Sequence, residues 1–202
     1  SDGWPTRLIF GANLLIYNDK KITVFVNHWP SRSGGQLESE PNRIEAAKTL
    51  RNAVDRIFKV EEDAKIFITG DFNDDPTNKS VLETLRANPI KCDSLNADFE
   101  IESEGELFNV SYESFENGVG SYKYRDTWNM LDQIIVSGSL ITSEVFNYIC
   151  NSFEVYKPDF IVTKSGDHMG TPFPTYGGRR YIGGYSDHFP VTAKFIIKGK
   201  EK

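Results

Sequence analysis

Asp71 and Asn73 stand two residues apart at the end of an apolar run, Ile66-Phe67-Ile68-Thr69-Gly70-Asp71-Phe72-Asn73-Asp74-Asp75-Pro76. Residues i and i+2 of an extended backbone share a face, so both side chains can point off the strand end together. Asp71 can accept a proton or hold a cation, and the Asn73 amide can donate to an oxyanion without adding charge. That pairing suits phosphate chemistry. The same residue types also make an ordinary Asp/Asn/Pro turn.

Three further clusters repeat the pattern of polar groups set against an apolar strand. Gly183-Gly184-Tyr185-Ser186-Asp187-His188-Phe189-Pro190 precedes a strand predicted from Val191 to Ile197. Asp187 is a natural ligand for a hard cation and His188 a natural donor to a phosphate oxygen. Val24-Phe25-Val26-Asn27-His28-Trp29-Pro30-Ser31-Arg32 feeds a strand into a Ser/Gly loop. His28 can serve as an acid near neutral pH, and the planar Arg32 fork matches phosphate unless it is only a solvated loop charge. In Leu131-Asp132-Gln133-Ile134-Ile135-Val136, Asp132 opens an apolar strand. By itself an Asp there is a turn or cap residue, and its interest lies in its company.

Asn27-His28-Trp29-Pro30-Ser31-Arg32, Gly70-Asp71-Phe72-Asn73, Leu131-Asp132-Gln133-Ile134 and Ser186-Asp187-His188 occur in the order of the endonuclease/exonuclease/phosphatase superfamily, which the chain resembles from Pro5 to its last strand. The resemblance implies a four-layered α/β sandwich, two packed and mostly antiparallel sheets with helices outside. It implies hydrolysis of a phosphoester by an activated water, of nuclease or phosphodiesterase type, assisted by Mg2+ or Mn2+. Carried over by motif, Asp71 orients or deprotonates the water and Asn73 stabilises the oxyanion. His188, backed by Asp132, donates to the non-bridging oxygens. His28 and Arg32 contact the phosphate, and Asp187 binds metal.

One departure stands out. The family pattern begins with a strand carrying an Asn and, later, a metal-binding Glu in a Gln-Glu context; neither precedes Asn27-His28 here. Residues 1–202 are therefore expected to form a single unit corresponding to the C-terminal portion of the domain, without its first strands and helices. That predicts exposed apolar surface near Leu8 to Tyr17, or a complementing N-terminal segment or chain there, with weak metal affinity and little activity in this portion alone.

The net charge of −6 bears on the substrate, since non-specific grip on duplex DNA normally needs a basic surface. Arg179-Arg180 is a compact basic pair, read as a solvated loop. Nucleic acid stays open as a partner, with a lipid or small-molecule phosphodiesterase or phosphatase as the alternative and a non-catalytic binding remnant as a third reading. No apolar run is long enough to span a membrane, and Ser1-Asp2-Gly3-Trp4 is not a signal peptide. The chain reads as soluble, and as secreted or periplasmic if a leader has been removed. Cys92 and Cys150 are two thiols or one bridge.

The elements that must position these groups follow from periodicity. Leu8 to Tyr17 reads as an interrupted strand turning at Asn18-Asp19-Lys20-Lys21 into Ile22 to Asn27. After a loop through Pro41, apolar residues at Ile44, Ala47, Leu50, Val54 and Ile57 or Phe58 predict an amphipathic helix. Lys65 to Thr69 is a buried strand, Ser80 to Ala87 a short helix stopped by Asn88-Pro89, and Lys91 to Gly120 an acidic solvated loop. Tyr122 to Arg125 and Leu131 to Val136 resume strand character. Asp159 to Gly184 reads as a long structured loop, with His168 a structural or surface residue.

Overall fold

The computed structural model describes residues 7–16, 20–94 and 105–198. The turn at Asn18-Asp19 and the acidic positions Asp98, Glu100, Glu102 and Glu104 lie outside them. The first two apolar runs form one hairpin as predicted, β1 (Phe10–Ile16) antiparallel to β2 (Lys20–His28). A parallel neighbour needs a crossover. It is supplied by helix α1 (Gln36–Phe58), after which β3 (Ile66–Asp71) pairs parallel with β2.

Helix α1 starts five residues before Pro41 instead of after it. Proline lacks the N–H that would bond the preceding turn. Side chains hold that turn instead: Ser39 Oγ donates to the Gly35 carbonyl (2.5 Å), while Arg43 donates to Ser39 Oγ (2.7 Å) and the Gln36 carbonyl (2.8 Å).

Past β3, a single π turn (Ser80–Thr84) closes with the Leu85 N–H on the Ser80 carbonyl at 2.9 Å. Arg86 then takes a left-handed φ of 60°, which ends the predicted helix early and frees Ala87–Pro89 to form strand β4. The segment read as a solvated loop carries a buried strand, β5 (Leu107–Asn109), and a short helix, α2 (Tyr112–Glu116). Hairpin β6 (Tyr122–Tyr124) and β7 (Thr127–Asn129) leads into β8 (Asp132–Ser137). The main sheet runs β1-β2-β3-β8-β5-β4, with β2–β3 and β4–β5 parallel and the other neighbours antiparallel.

Alternation along these strands sorts the core into two layers. Phe25, Ile66, Ile68, Leu107 and Ile135 face Ala47, Leu50 and Val54 of α1. Their neighbours Ile22, Phe67, Phe108, Ile134 and Val136 face the opposite way. There they meet an antiparallel ribbon reached through α3 (Ser139–Thr142) and built from β9 (Phe146–Tyr148), β10 (Glu154–Val155), β13 (Val191–Thr192) and β14 (Phe195–Ile197). Before β13, a small hairpin pairs β11 (Tyr176–Gly177) with β12 (Arg180–Tyr181).

The strand expected from Val191 to Ile197 is thus split, β13 pairing with β10 and β14 with β9. The Lys194 N–H bonds Ser152 Oγ at the break, a side chain replacing the ladder carbonyl. Cys92 and Cys150 form a disulfide that ties the segment after β4 to the ribbon. The result is the α/β sandwich expected. Leu8, Phe10, Leu14 and Leu15 are exposed on and beside edge strand β1, where apolar surface was anticipated. No helix among the described residues is long and apolar enough to cross a membrane.

Candidate active site

Parallel strands β2 and β3 finish at the same edge of the sheet, and antiparallel β8 begins there. The register sets His28 beside Asp71 and Asp71 beside Asp132, so three ionisable residues occupy adjacent strand ends. Gly70 makes this approach feasible. Its φ of 132° is one that side chains rarely adopt, and a Cβ there would lie 2.0 Å from the Asn27 carbonyl oxygen. The Trp29 N–H on the Asp71 carbonyl (2.9 Å) and the Phe72 N–H on the Leu131 carbonyl (2.8 Å) extend the ladder one step further.

Asp71 is fixed by the residues that follow it. Asn73 lies off the strand, at φ 51°, and its N–H donates to Asp71 Oδ1 at 2.8 Å in an Asx turn. The Asn73 amide donates to Asp71 Oδ2 (3.1 Å) and to the Trp29 carbonyl (3.0 Å). Both amide hydrogens are thereby occupied, which departs from the expected oxyanion donor. In this arrangement Asn73 orients Asp71. His28 Nε2 approaches Asp71 Oδ2 at 3.4 Å.

Asp132 meets His188 from the far end of the chain, with His188 Nδ1 and Asp132 Oδ2 2.7 Å apart. The Ser121 hydroxyl and the Asp132 N–H bond at 3.0 Å, and the Tyr122 ring packs on His188 with centroids 4.6 Å apart. Burial disfavours the His188 cation, but the hydrogen bond and charge of Asp132, helped by Asp71 and Asp187, outweigh it and raise the pKa. Burial also pushes the Asp71 carboxyl upward, and the Asp132 charge adds to this. His188, the Asn73 N–H and His28 oppose the shift without cancelling it.

Arg32 is turned into the protein. Its Nε donates to the Asn73 carbonyl (2.8 Å), Nη1 to Asn129 Oδ1 (2.9 Å), and Nη2 to Asp75 Oδ2 (3.0 Å) and Asn78 Oδ1 (3.2 Å). Four of its five hydrogens are engaged, so the expected phosphate fork is instead a brace joining the loops after β2 and β3 to the end of β7. Asp75 completes it by accepting the Met130 N–H at 2.8 Å. Beneath lies a fully buried pair, Arg43 Nε 2.7 Å from Asp74 Oδ2; the N–H is not aligned for a hydrogen bond, so the contact is one of charge. Sequence reasoning missed Asp75, Asn129 and Tyr122, although Asp75 lies in a quoted cluster and Asn129 beside one. Tertiary partners, which local spacing does not encode, give them their roles.

A cleft of about 1150 Å³ gathers the expected groups: His28, Arg32, Asp71, Asn73, Asp132, Asp187 and His188 all line it. Arg7, Tyr124 and Arg125 form other parts of its wall, whereas Arg179, Arg180 and His168 are exposed and take no part. Asp187 is exposed, with no hydrogen-bond partner among the described residues. Its hard oxygens suit magnesium. Among the described residues, however, no three His, Cys, Asp or Glu side chains are grouped to hold a metal ion. The described residues do not by themselves make up a metal site.

Several solved structures share the fold. Humanized D. rerio TDP2 is 14% identical and aligns over 93% of this chain and 60% of its own, with a TM-score of 0.51. Beta toxin 275-280 from Staphylococcus aureus is 18% identical over 91% of this chain and 55% of its own, at 0.50. A mannosyl-6-phosphatase from Bacteroides thetaiotaomicron VPI-5482 is 16% identical over 89% and 53%, at 0.48. The chain spans little more than half the length of these structures, and at such identities the likeness to the first two is one of fold. No curated protein matches it in sequence. The pattern of the Endonuclease/Exonuclease/phosphatase family, by contrast, matches residues 8–197, nearly the whole chain and every strand of the cleft, and the chain belongs to that family.

Proposed function

We propose that this chain carries the catalytic edge of a phosphoester hydrolase of nuclease or phosphodiesterase type. The observation behind the reading is the register that aligns His28, Asp71 and Asp132 on adjacent strand ends, with His188 closing on Asp132. A water in the cleft attacks phosphorus while its proton passes to Asp71, whose raised pKa suits a general base. The His188 cation donates from Nε2 to a non-bridging oxygen as negative charge gathers there. His28, half exposed beside Asp71, protonates the departing oxygen in this reading. Asn73 and Arg32 hold Asp71 in register and touch no reacting atom.

Enzymes of this family commonly depend on a divalent metal, and Asp187 is the residue here proposed as a ligand for Mg2+ or Mn2+; further donors are needed. The charge of −6 favours a single ester over a long duplex. A lipid or small-molecule phosphoester is accordingly the second reading.

The test is product release by the full-length protein, with magnesium present, from plasmid DNA, sphingomyelin and inositol phosphates. Asp71→Ala and His188→Ala should each lower turnover roughly 10²–10⁴-fold. Variants that turn over like the parent chain would remove both assignments.

A further inference from the structure

We propose that a second groove, opening from the cleft beside His188, receives a flat aromatic substituent carried by the phosphoester. The inference rests on the phosphoester reading above and names which ester the site prefers. The groove has a volume of about 370 Å³, within the range of small-molecule sites, and shares Asp132, Ser186 and His188 with the cleft. A phosphorus atom held at His188 therefore has a substituent directed along it.

Its walls define the chemistry. Phe160 and Tyr185 stand edge to face, 5.5 Å between centroids, on one side, with Pro158, Pro190 and Tyr156 around them and the fully buried Phe189 beneath. Among the described residues, apart from Asp132 and His188 at the junction, no charged side chain lines it. Beyond His188, a second phosphate would find no cation among the lining side chains. Phe160 and Tyr185 are 62% and 64% exposed, a large apolar area left in water beside a polar cleft. Rings meeting at this angle offer both a face and an edge to a third ring, geometry that a flexible alkyl chain does not exploit.

Phosphonates that cannot be hydrolysed test this by calorimetry on the 202-residue chain. Phenylphosphonate should bind about tenfold more tightly than methylphosphonate, the worth of one well-packed ring contact, and more tightly than hexylphosphonate, which has the same number of carbons. The Phe160→Ala/Tyr185→Ala double variant should bring the phenyl-to-methyl ratio to within about twofold of one. Both side chains are exposed, so the variant keeps its core, which a circular dichroism spectrum checks. Equal binding of phenyl- and methylphosphonate, tighter binding of the hexyl compound, or a ratio unchanged in the double variant would each overturn the groove and leave the phosphoester reading standing. Failure of every phosphonate to bind would overturn both.

Discussion

Asp132 acts on two proton-carrying neighbours at once, and this gives the site a pH signature. Its charge raises the pKa of Asp71 across the strand pair and of His188 through their hydrogen bond. If Asp71 must be ionised and His188 protonated, activity rises through an acidic limb lying above 3.8, the ordinary aspartate value. It falls through an alkaline limb above 6.5, the ordinary histidine value. Replacing Asp132 by Asn should move both limbs to lower pH, read from kcat/KM against pH; limbs that stay in place would disprove the coupling. Stability follows the same sign. His188 binds its proton more tightly folded than unfolded, so its contribution is complete below pH 6.5 and is lost as pH rises through the raised pKa. Asp71, Asp132 and His28 were legible beforehand because each ends or begins an apolar run. The tasks of Asn73 and Arg32 were not, because a side chain's hydrogen-bond partners are chosen by the fold.

At the scale of elements, the long strands were readable and the short ones were not. β2, β3 and β8 carry enough alternating apolar residues to show their period. β4 and β5 have three residues each, too few for any period, and β5 follows an acidic stretch that reads as solvent-facing. Pro41 likewise suggested a boundary that Arg43 and Ser39 override. The seam between β2 and β3 depends on Gly70. Gly70→Ala would drive a methyl into the Asn27 backbone at an unfavourable φ, costing about 1–3 kcal/mol. It should also separate His28 from Asp71. A lower urea midpoint together with lost turnover is the expected result, and an unchanged midpoint would show that the backbone yields without strain.

Across the whole molecule, the disulfide joins the two layers of the sandwich. Cys92 and Cys150 are 58 residues apart in sequence, and the enclosed segment includes β5 through β9. Closing a loop of that length restricts the unfolded chain, so its loss should cost about 2–5 kcal/mol. Thermal melts with and without dithiothreitol, and of Cys92→Ser/Cys150→Ser, should show matching drops in midpoint; identical melts would mean that packing alone holds the ribbon.

His28, Asp71 and Asp132 terminate their strands instead of lying within them, while the interior residues of those strands fill the two cores. The frame and its chemistry can therefore vary independently. A lineage could exchange the loops that meet the substrate, or silence the reaction through one terminal carboxylate, without disturbing the packing that keeps the remainder in place.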